Sequence, residues 1–357
     1  MKYISILFIA LFLTSCSDDG GKVNETFKVK ELLTDITNQR IVPSVQEFVN
    51  QSNLLNDYIN NYATTTSETN LELLREQWKV TALAYENIYV FNIGVVRDRF
   101  THRSIYNWPV LPNAVEEIIS NNTDITQEFV ESISNQSKSL AAIEYLLYKS
   151  NLTDTNTEFL NSEKRINFLK YSVLEMNVKA NTLLNVWKED GENYAATFIN
   201  SDETGIQGSF NKLYNGIYNT IDTGKVTKIG KPAGLENSQV LDPEITQAYF
   251  SGTSLDLLKQ NIRSVENIYF NQEGLGVADY VVSITRNDEL NNAIQNKINE
   301  VYSAIDAIPV SLHNAITTNH GQVENLHQKL NELGVLFSVD VRSTLSIIIT
   351  STDNDGD

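Results

Sequence analysis

Apolar residues recur at intervals of three and four through most of this chain, and this periodicity constrains the fold more than any other feature of the sequence. One such stripe, within residues 287–308, consists of Leu290, Ile294, Ile298, Val301, Ile305 and Ile308. Another consists of Leu71, Leu74, Trp78, Ala82, Tyr85 and Tyr89. Similar patterns cover residues 28–62, 124–149, 161–188, 254–271 and 314–337, and no convincing strand-like alternation occurs before the last dozen residues. The sequence therefore predicts an all-α protein whose helices each bury one face.

Residues that disfavour helix divide this pattern into two parts. Pro109 and Pro112 interrupt the N-terminal half, and the polar, glycine-containing stretch from Asn200 to Ser209 separates two helical blocks of similar size. We therefore predict two helical bundles in series, formed by residues 27–200 and 201–357.

A second glycine-containing stretch, from Thr223 to Pro243, is predicted to be a loop that is long for a helical protein. Loops of this length are often functional, although a variable surface excursion is an equal alternative.

The net charge of the chain argues against nucleic acid as a partner. The 357 residues include 45 Asp and Glu against 27 Lys and Arg, which gives a formal net charge of -18. The resulting field repels phosphate backbones. A cationic ligand is compatible with this charge, although the charge alone does not imply one.

The N-terminus has the features of a bacterial lipoprotein signal. Lys2 precedes an apolar run that is too short to span a bilayer, and the segment ends in the sequence LTSC, which resembles a lipobox. Its cysteine, Cys16, is the only one in the chain, so no disulfide can form within the chain. We expect a signal peptide at residues 1–15 and a lipidated flexible tether at residues 16–26. The lipid on Cys16 would attach an envelope protein to the outer membrane, facing the periplasm or the cell surface.

Five stretches resemble, in this order, the imelysin-like family of bacterial envelope proteins. They are the helix around Trp78, IYNWPV at residues 105–110, AIEYLL at 142–147, YFSGTSLDLL at 249–258 and DNDGD at 353–357. The resemblance implies a pair of helical bundles. It also implies a relation to the metallopeptidase for which the family is named, and to the periplasmic component of a ferrous iron uptake system.

The most specific motif of that family, G-x-H-x-x-E, is incomplete in this sequence. Its Glu falls at Glu144, but its His falls at Ala141 and its Gly at Ser139. A His and a Glu three residues apart leave a helix on the same face and converge on one metal ion. Because a zinc peptidase needs about three protein ligands, the loss of the imidazole should abolish hydrolysis, and no catalytic residue is assigned.

Glu144 and Glu86 each interrupt a mostly apolar helical stretch, so both carboxylates are expected to be buried. A buried carboxylate pairs with a cation, binds a metal or stays protonated with a raised pKa. One interpretation is that the two residues line a residual site for a weakly bound metal ion, either iron, zinc or calcium. The other is that each forms a structural ion pair with an arginine such as Arg75, Arg97 or Arg103.

Trp108, Ser251 and Ser254 are secondary candidates for ligand binding. Trp108 precedes Pro109, and we expect the pair mainly to fix a turn. Thr253 and Ser254 come directly before a predicted helix, an arrangement that favours helix capping over ligand contact.

His313, His320 and His327 are spaced seven residues apart on what the pattern predicts to be the last long helix. Seven residues span about 11 Å along a helix, too far for one ion to join adjacent members. His320, Glu324 and His327 together are a candidate metal site, but packing against a neighbouring helix is the more common role for such histidines. The terminal DNDGD resembles the start of a calcium loop but lacks the bidentate Glu of such a loop.

These features predict a lipid-anchored envelope protein that binds a ligand without catalysis and is linked to metal or iron acquisition, with iron-uptake components as candidate partners. One alternative is a metallopeptidase that uses other ligands. Another is a structural or adhesion module whose ancestral site has decayed.

Overall fold

The computed structural model describes residues 27–121 and 123–350. In this part of the chain the regular secondary structure is helical and contains no strand, as the periodicity predicts. Cys16, the predicted tether up to residue 26 and the terminal DNDGD lie outside the described residues. None of the described helices is long and apolar enough to cross a membrane.

The described residues form a succession of short and long α-helices. In chain order they are α1 (Val29–Ile36), α2 (Val42–Thr64), α3 (Glu68–Ile88), α4 (Gly94–Asp98), α5 (Thr101–Ile105), α6 (Pro112–Ser120), α7 (Gln127–Ser132), α8 (Leu140–Tyr148), α9 (Leu152–Leu160), α10 (Glu163–Trp187), α11 (Tyr194–Asn200), α12 (Ser209–Thr223), α13 (Ser254–Phe270), α14 (Val277–Thr285), α15 (Glu289–Asp306), α16 (Leu312–Thr318), α17 (His320–Val335) and α18 (Arg342–Leu345). Segments of π-helix continue α1, α12 and α17 at Thr37–Ile41, Gly224–Gly230 and Leu336–Val341. Short 3₁₀ turns lie at Tyr89–Phe91, Asn135–Ser137 and Pro243–Ile245.

The N-terminal group of helices is built on α2, which packs against both α3 and α10. Two of these helices begin at a serine whose hydroxyl accepts a backbone hydrogen bond. The N–H of Asn70 donates to Ser67 at 3.3 Å in α3, and the N–H of Arg165 donates to Ser162 at 3.2 Å in α10. The predicted apolar stripe of α3 faces the core, where Trp78 is fully buried.

The C-terminal group contains α12, α13, α15 and α17. α15 packs on α17, and α12 packs on both α13 and α17. α13 also packs on α3, so the two groups touch directly, and their buried apolar side chains form one connected core. The predicted joint from Asn200 to Ser209 lies between α11 and α12. A division into two domains at this joint stays a prediction.

The stretch from Thr223 to Pro243 is only partly a loop, which corrects the sequence prediction. Its first residues continue α12 as π-helical turns up to Gly230. Ile229 is fully buried and Lys228 is 3% exposed, so contacts with the core outweigh the low helix propensity of Gly224 and Gly230.

Two other predicted helices are interrupted. Residues 124–149 form α7 and α8 with a 3₁₀ turn between them. Residues 314–337 are divided at Asn319, whose backbone angles of φ -134 and ψ 37 are not helical. This break places His313 on α16, whereas His320 and His327 lie on α17.

Candidate functional site

Glu144 lies on α8, a short helix that is buried on every side. Its residues from Leu140 to Leu147 are all buried. Side chains of α3 hold both ends of α8: Nε1 of Trp78 donates to the carbonyl of Leu140 at 3.0 Å, and Nε of Arg75 donates to the carbonyl of Leu147 at 2.7 Å. α3 therefore fixes the position of α8 and, with it, the direction in which Glu144 points.

The Glu144 carboxylate lies in the wall of a cavity of about 460 Å³, which we call the Glu144 cavity. The residue is 2% exposed, and its Oε1 accepts a hydrogen bond from the N–H of Ser251 at 2.7 Å. Burial raises the pKa of Glu144 from 4.5 to about 7, although hydrogen bonds from Ser251 and Phe250 oppose this rise. Ala141 lines the same cavity. The residues at the motif's His and Glu positions, Ala141 and Glu144, therefore line the same cavity, but Ala141 offers only a methyl group.

The charged residues that line the Glu144 cavity are all acidic. They are Glu144, Asp242 and Glu244, and no Lys, Arg or His of the described chain lines it. Thr246, another lining residue, is 2% exposed, and its hydroxyl has no hydrogen-bond partner among the described residues. Such a lining favours a cationic ligand.

Glu86, on α3, is 1% exposed and is held by three side chains. Its Oε2 accepts hydrogen bonds from Nζ of Lys228 and Nδ2 of Asn261, both at 2.7 Å. Its Oε1 accepts one from Nε2 of Gln247 at 2.7 Å. Lys228 also donates to Oδ1 of Asn261 at 2.5 Å. Burial lowers the pKa of Lys228, and the Glu86 carboxylate opposes this by favouring the charged ammonium.

The partner of Glu86 is thus a lysine, and the expectation of an arginine partner is wrong. Arg75 is engaged with α8, and neither Arg97 nor Arg103 lies within ion-pair distance of Glu86. Sequence reasoning missed Lys228 because it is 142 positions away from Glu86 and lies in the stretch predicted to be a loop.

The loop at residues 247–251 contacts both buried carboxylates, Glu86 and Glu144. Gln247 donates to Glu86, and the backbone of Ser251 donates to Glu144. Tyr106 is close to both as well: burial raises its pKa well above 10.0, and the charges of Glu144 and Glu86 add to this rise. The two carboxylates therefore lie in one region of the molecule but have separate hydrogen-bond partners.

Ser254 shapes this loop and does not cap α13. Its Oγ donates to the carbonyl of Gln247 at 2.5 Å. Thr253, at the N-cap position, makes no side-chain capping bond, since its backbone angles of φ -92 and ψ 11 are not the extended ones of a capping residue. The capping prediction is therefore wrong. Ser251 contacts Glu144 through its N–H, while its hydroxyl pairs with that of Thr253 at 2.8 Å.

Trp108 forms part of the wall of the Glu144 cavity and is half-buried. Its peptide bond to Pro109 is cis. Its ring centroid lies 5.7 Å from Nζ of Lys228, so the indole also borders the ion pair of Glu86.

The histidines at the C-terminal end have separate partners. Nε2 of His327 lies 2.8 Å from Oε1 of Glu236, whereas Nε2 of His320 lies 3.5 Å from Oε1 of Glu324. His313, on the separate helix α16, packs against an aromatic ring. The candidate site of His320, Glu324 and His327 is therefore not assembled.

Comparison with known proteins places the chain in a family. The sequence model of imelysin (Peptidase_M75) matches residues 41–336. The chain belongs to the imelysin family. A search of curated proteins finds no match to this chain.

Two solved structures share the fold of this chain. An imelysin-like protein from Psychrobacter arcticum 273-4 has a TM-score of 0.75 and 17% sequence identity, covering 91% of this chain and 99% of that one. A protein with the provisional name iron-regulated protein A precursor, from Parabacteroides distasonis ATCC 8503, has a TM-score of 0.71 and 18% identity, covering 88% of this chain and 94% of that one. At this level of identity the likeness concerns the fold alone.

The side chains of the described residues do not fit a resident catalytic metal centre. Among residues 27–121 and 123–350, no group of three or more His, Cys, Asp or Glu is placed to hold a metal ion. Asp242 and Glu244 line the same cavity as Glu144 without converging on one point, and Ala141 provides no donor. A zinc centre with about three protein ligands cannot be built from these residues.

Proposed function

We propose that this member of the imelysin family is a non-catalytic binding protein of the bacterial cell envelope, that it binds a metal cation as cargo in the Glu144 cavity, and that it serves iron acquisition. The observation that carries the proposal is a buried carboxylate in the wall of a cavity whose charged lining residues are all acidic. The name of the Parabacteroides relative, iron-regulated protein A precursor, supports iron as the biological context.

The chemistry of Glu144 supports weak and pH-dependent binding. With its pKa raised to about 7, the carboxyl group holds a proton at lower pH, and a cation must displace that proton. Binding should therefore strengthen as the pH rises through 7. One carboxylate with few other donors gives low affinity, which suits cargo that is later released.

Ala141 supports the non-catalytic part of the proposal. A metal that activates water needs ligands that hold it in a fixed open geometry, and the methyl group at position 141 removes one of them. The remaining lining carboxylates, Asp242 and Glu244, do not replace it.

Calorimetric titration with iron, zinc and calcium tests the proposal. We expect weak binding by the wild type, loss of binding in Glu144→Gln and tighter binding in Ala141→His, because a histidine restores the i, i+3 ligand pair. Glu175→Gln is the matched control, since Glu175 is a buried carboxylate that pairs with lysines and does not line the Glu144 cavity.

The alternatives give different results in the same preparations. Absence of binding in both the wild type and Ala141→His would show that Glu144 is structural and that the site has decayed. Cleavage of unstructured peptides that a chelator and Glu144→Ala both abolish would instead identify a metallopeptidase with other ligands.

The envelope location is proposed from the N-terminal sequence. A short apolar run followed by LTSC at Cys16 suits export and lipidation, and the acidic, glycine-rich SDDGG that follows suits a flexible tether. We propose the outer membrane as the site of attachment.

A further inference from the structure

A second cavity, of about 370 Å³, also has Trp108 in its wall but has the opposite charge. Arg103 and Lys231 line it, and no Asp or Glu of the described chain does. We call it the Arg103 cavity. It contains none of Glu144, Asp242 or Glu244, so it is distinct from the Glu144 cavity.

The two cations of the Arg103 cavity have no acidic partners. Within the described residues, no carboxylate lies within ion-pair distance of Arg103 or of Lys231, whereas Lys225, nearby in sequence, pairs with Glu236 at 3.4 Å. The chain has a formal net charge of -18, so acidic side chains are abundant. Arg103 is exposed, with its guanidinium 5.5 Å from the ring centroid of Phe100, and Lys231 is half-buried. The cavity wall therefore carries two positive charges that no carboxylate of the described chain neutralises.

Two buried hydroxyl groups of the same wall also have no partner. Tyr106 is 2% exposed and Thr223 is 3% exposed, and neither hydroxyl has a hydrogen-bond partner among the described residues. A buried hydroxyl without a partner destabilises the fold, because it has lost its hydrogen bonds to water. Because the pKa of Tyr106 is raised well above 10.0, its hydroxyl remains protonated and can donate.

We propose that the Arg103 cavity binds a small oxyanion, a carboxylate or a phosphate. Arg103 and Lys231 would supply positive charge, and the hydroxyls of Tyr106 and Thr223 would donate hydrogen bonds to the oxyanion. A neutral ligand would leave both cations without a counter-charge, and a cation would be repelled.

Two carboxylates lie near Tyr106. Glu86 does not oppose this assignment, because it is paired with Lys228 at 2.7 Å and the pair carries no net charge. Glu144 opposes it only when ionised, and burial raises its pKa to about 7, so the binding tests are made below pH 7. The ammonium of Lys228 lies 5.7 Å from the ring centroids of both Tyr89 and Trp108, which line the Arg103 cavity. The inference does not depend on cation binding in the Glu144 cavity, because the two cavities share Trp108 but no charged residue.

The test is calorimetric titration of metal-free protein with inorganic phosphate and, separately, with citrate. We expect at least one of the two to bind, and the one that binds identifies the ligand as phosphate-like or carboxylate-like. Arg103→Gln, Lys231→Gln and Tyr106→Phe should each weaken that binding by about tenfold or more, because each removes a charge or a donor from a residue that lines the Arg103 cavity. Arg97→Gln is the matched control: it removes the same charge at a position that does not line the Arg103 cavity, and should leave binding unchanged.

Tyr106→Phe also separates a binding role from a structural one. The substitution keeps the ring and removes only a hydroxyl without a partner, so the ligand-free variant should melt at the same or a higher temperature than the wild type. Unchanged stability together with weakened oxyanion binding supports the site. Binding of neither anion by the wild type, or equal binding by the wild type and all three cavity variants, would overturn it.

Discussion

At the scale of single residues, Glu144 links burial to a measurable pH dependence. Its pKa is raised from 4.5 to about 7 because burial disfavours the charged form. Below pH 4.5 the carboxyl is protonated in both the folded and the unfolded chain, and its contribution to stability is fully present. Between these two values the unfolded chain releases the proton while the folded protein retains it, so stability falls as the pH rises.

We therefore predict that Glu144→Gln becomes progressively more stable relative to the wild type between pH 4 and pH 8. The full difference corresponds to about 3 kcal/mol for a shift from 4.5 to about 7. Urea unfolding of both proteins between pH 4 and pH 8 measures this difference in the free energy of unfolding, because the contributions of titrating groups present in both proteins cancel in the comparison. A difference in the free energy of unfolding that stays constant from pH 4 to pH 8 would contradict the prediction.

The burial of Glu144 and Glu86 could be predicted from the sequence, because each lies in a run of apolar residues. Their partners could not. Lys228 and Gln247 lie 142 and 161 positions from Glu86, and only the packing of α12, α13 and the loop at residue 247 brings them together. Similarly, the unpaired hydroxyl of Tyr106 is a property of its surroundings and leaves no trace in the local sequence.

At the scale of secondary-structure elements, the Glu86–Lys228 pair and Asn261 together connect three of them. Glu86 lies on α3, Lys228 on the π-helical segment that extends α12, and Asn261 on α13. Both ionised groups are almost fully buried. Removing one of the two charged groups leaves the other charge buried without a counter-charge. This lowers the free energy of unfolding by more than the intact pair contributes to it.

We predict that Lys228→Met lowers the free energy of unfolding by about 3–5 kcal/mol. The double variant Lys228→Met/Glu86→Gln should recover part of this loss, because the neutral amide no longer needs a counter-charge. Lys225→Met is the control, since Lys225 lies on the same segment but forms a more exposed pair with Glu236, with side chains 22% and 21% exposed. That change should cost less than about 1 kcal/mol. Equal losses in the two single variants would refute a special role for the buried pair.

The helices that periodicity predicts best are those with a long, uninterrupted stripe. The stripe at residues 161–188 corresponds to α10 at Glu163–Trp187, and the stripe at residues 254–271 corresponds to α13 at Ser254–Phe270. The pattern fails where a tertiary contact overrides local preference. Gly224–Gly230 is helical because it packs on the core, and Asn319 divides a continuous apolar pattern because its backbone leaves the helical region.

At the scale of the whole molecule, the all-α fold and the family could both be predicted, since the first depends on periodicity and the second on motifs spread along the chain. The contact between the two groups of helices could not. α13 packs against α3, and this contact together with the loop at residues 247–251 brings the C-terminal half of the chain to both buried carboxylates. The candidate site therefore requires both halves of the chain.

The proposed attachment of the molecule to the envelope gives the last prediction, which concerns Cys16. This residue is the only cysteine of the chain, and it follows an apolar run and the sequence LTS. An anchor with several acyl chains holds a protein on a membrane far more firmly than a single chain does, because each buried methylene contributes about 0.8 kcal/mol. Wild-type protein should therefore sediment with outer membranes after a high-salt wash, whereas Cys16→Ala should be recovered in the soluble fraction.

Ser17→Ala, which changes the neighbouring residue and keeps the thiol, should behave as the wild type. Incorporation of labelled fatty acid into the wild type and Ser17→Ala, but not into Cys16→Ala, would show that the lipid is on this residue. Retention of Cys16→Ala in the washed membranes would instead mean that another part of the protein binds the envelope.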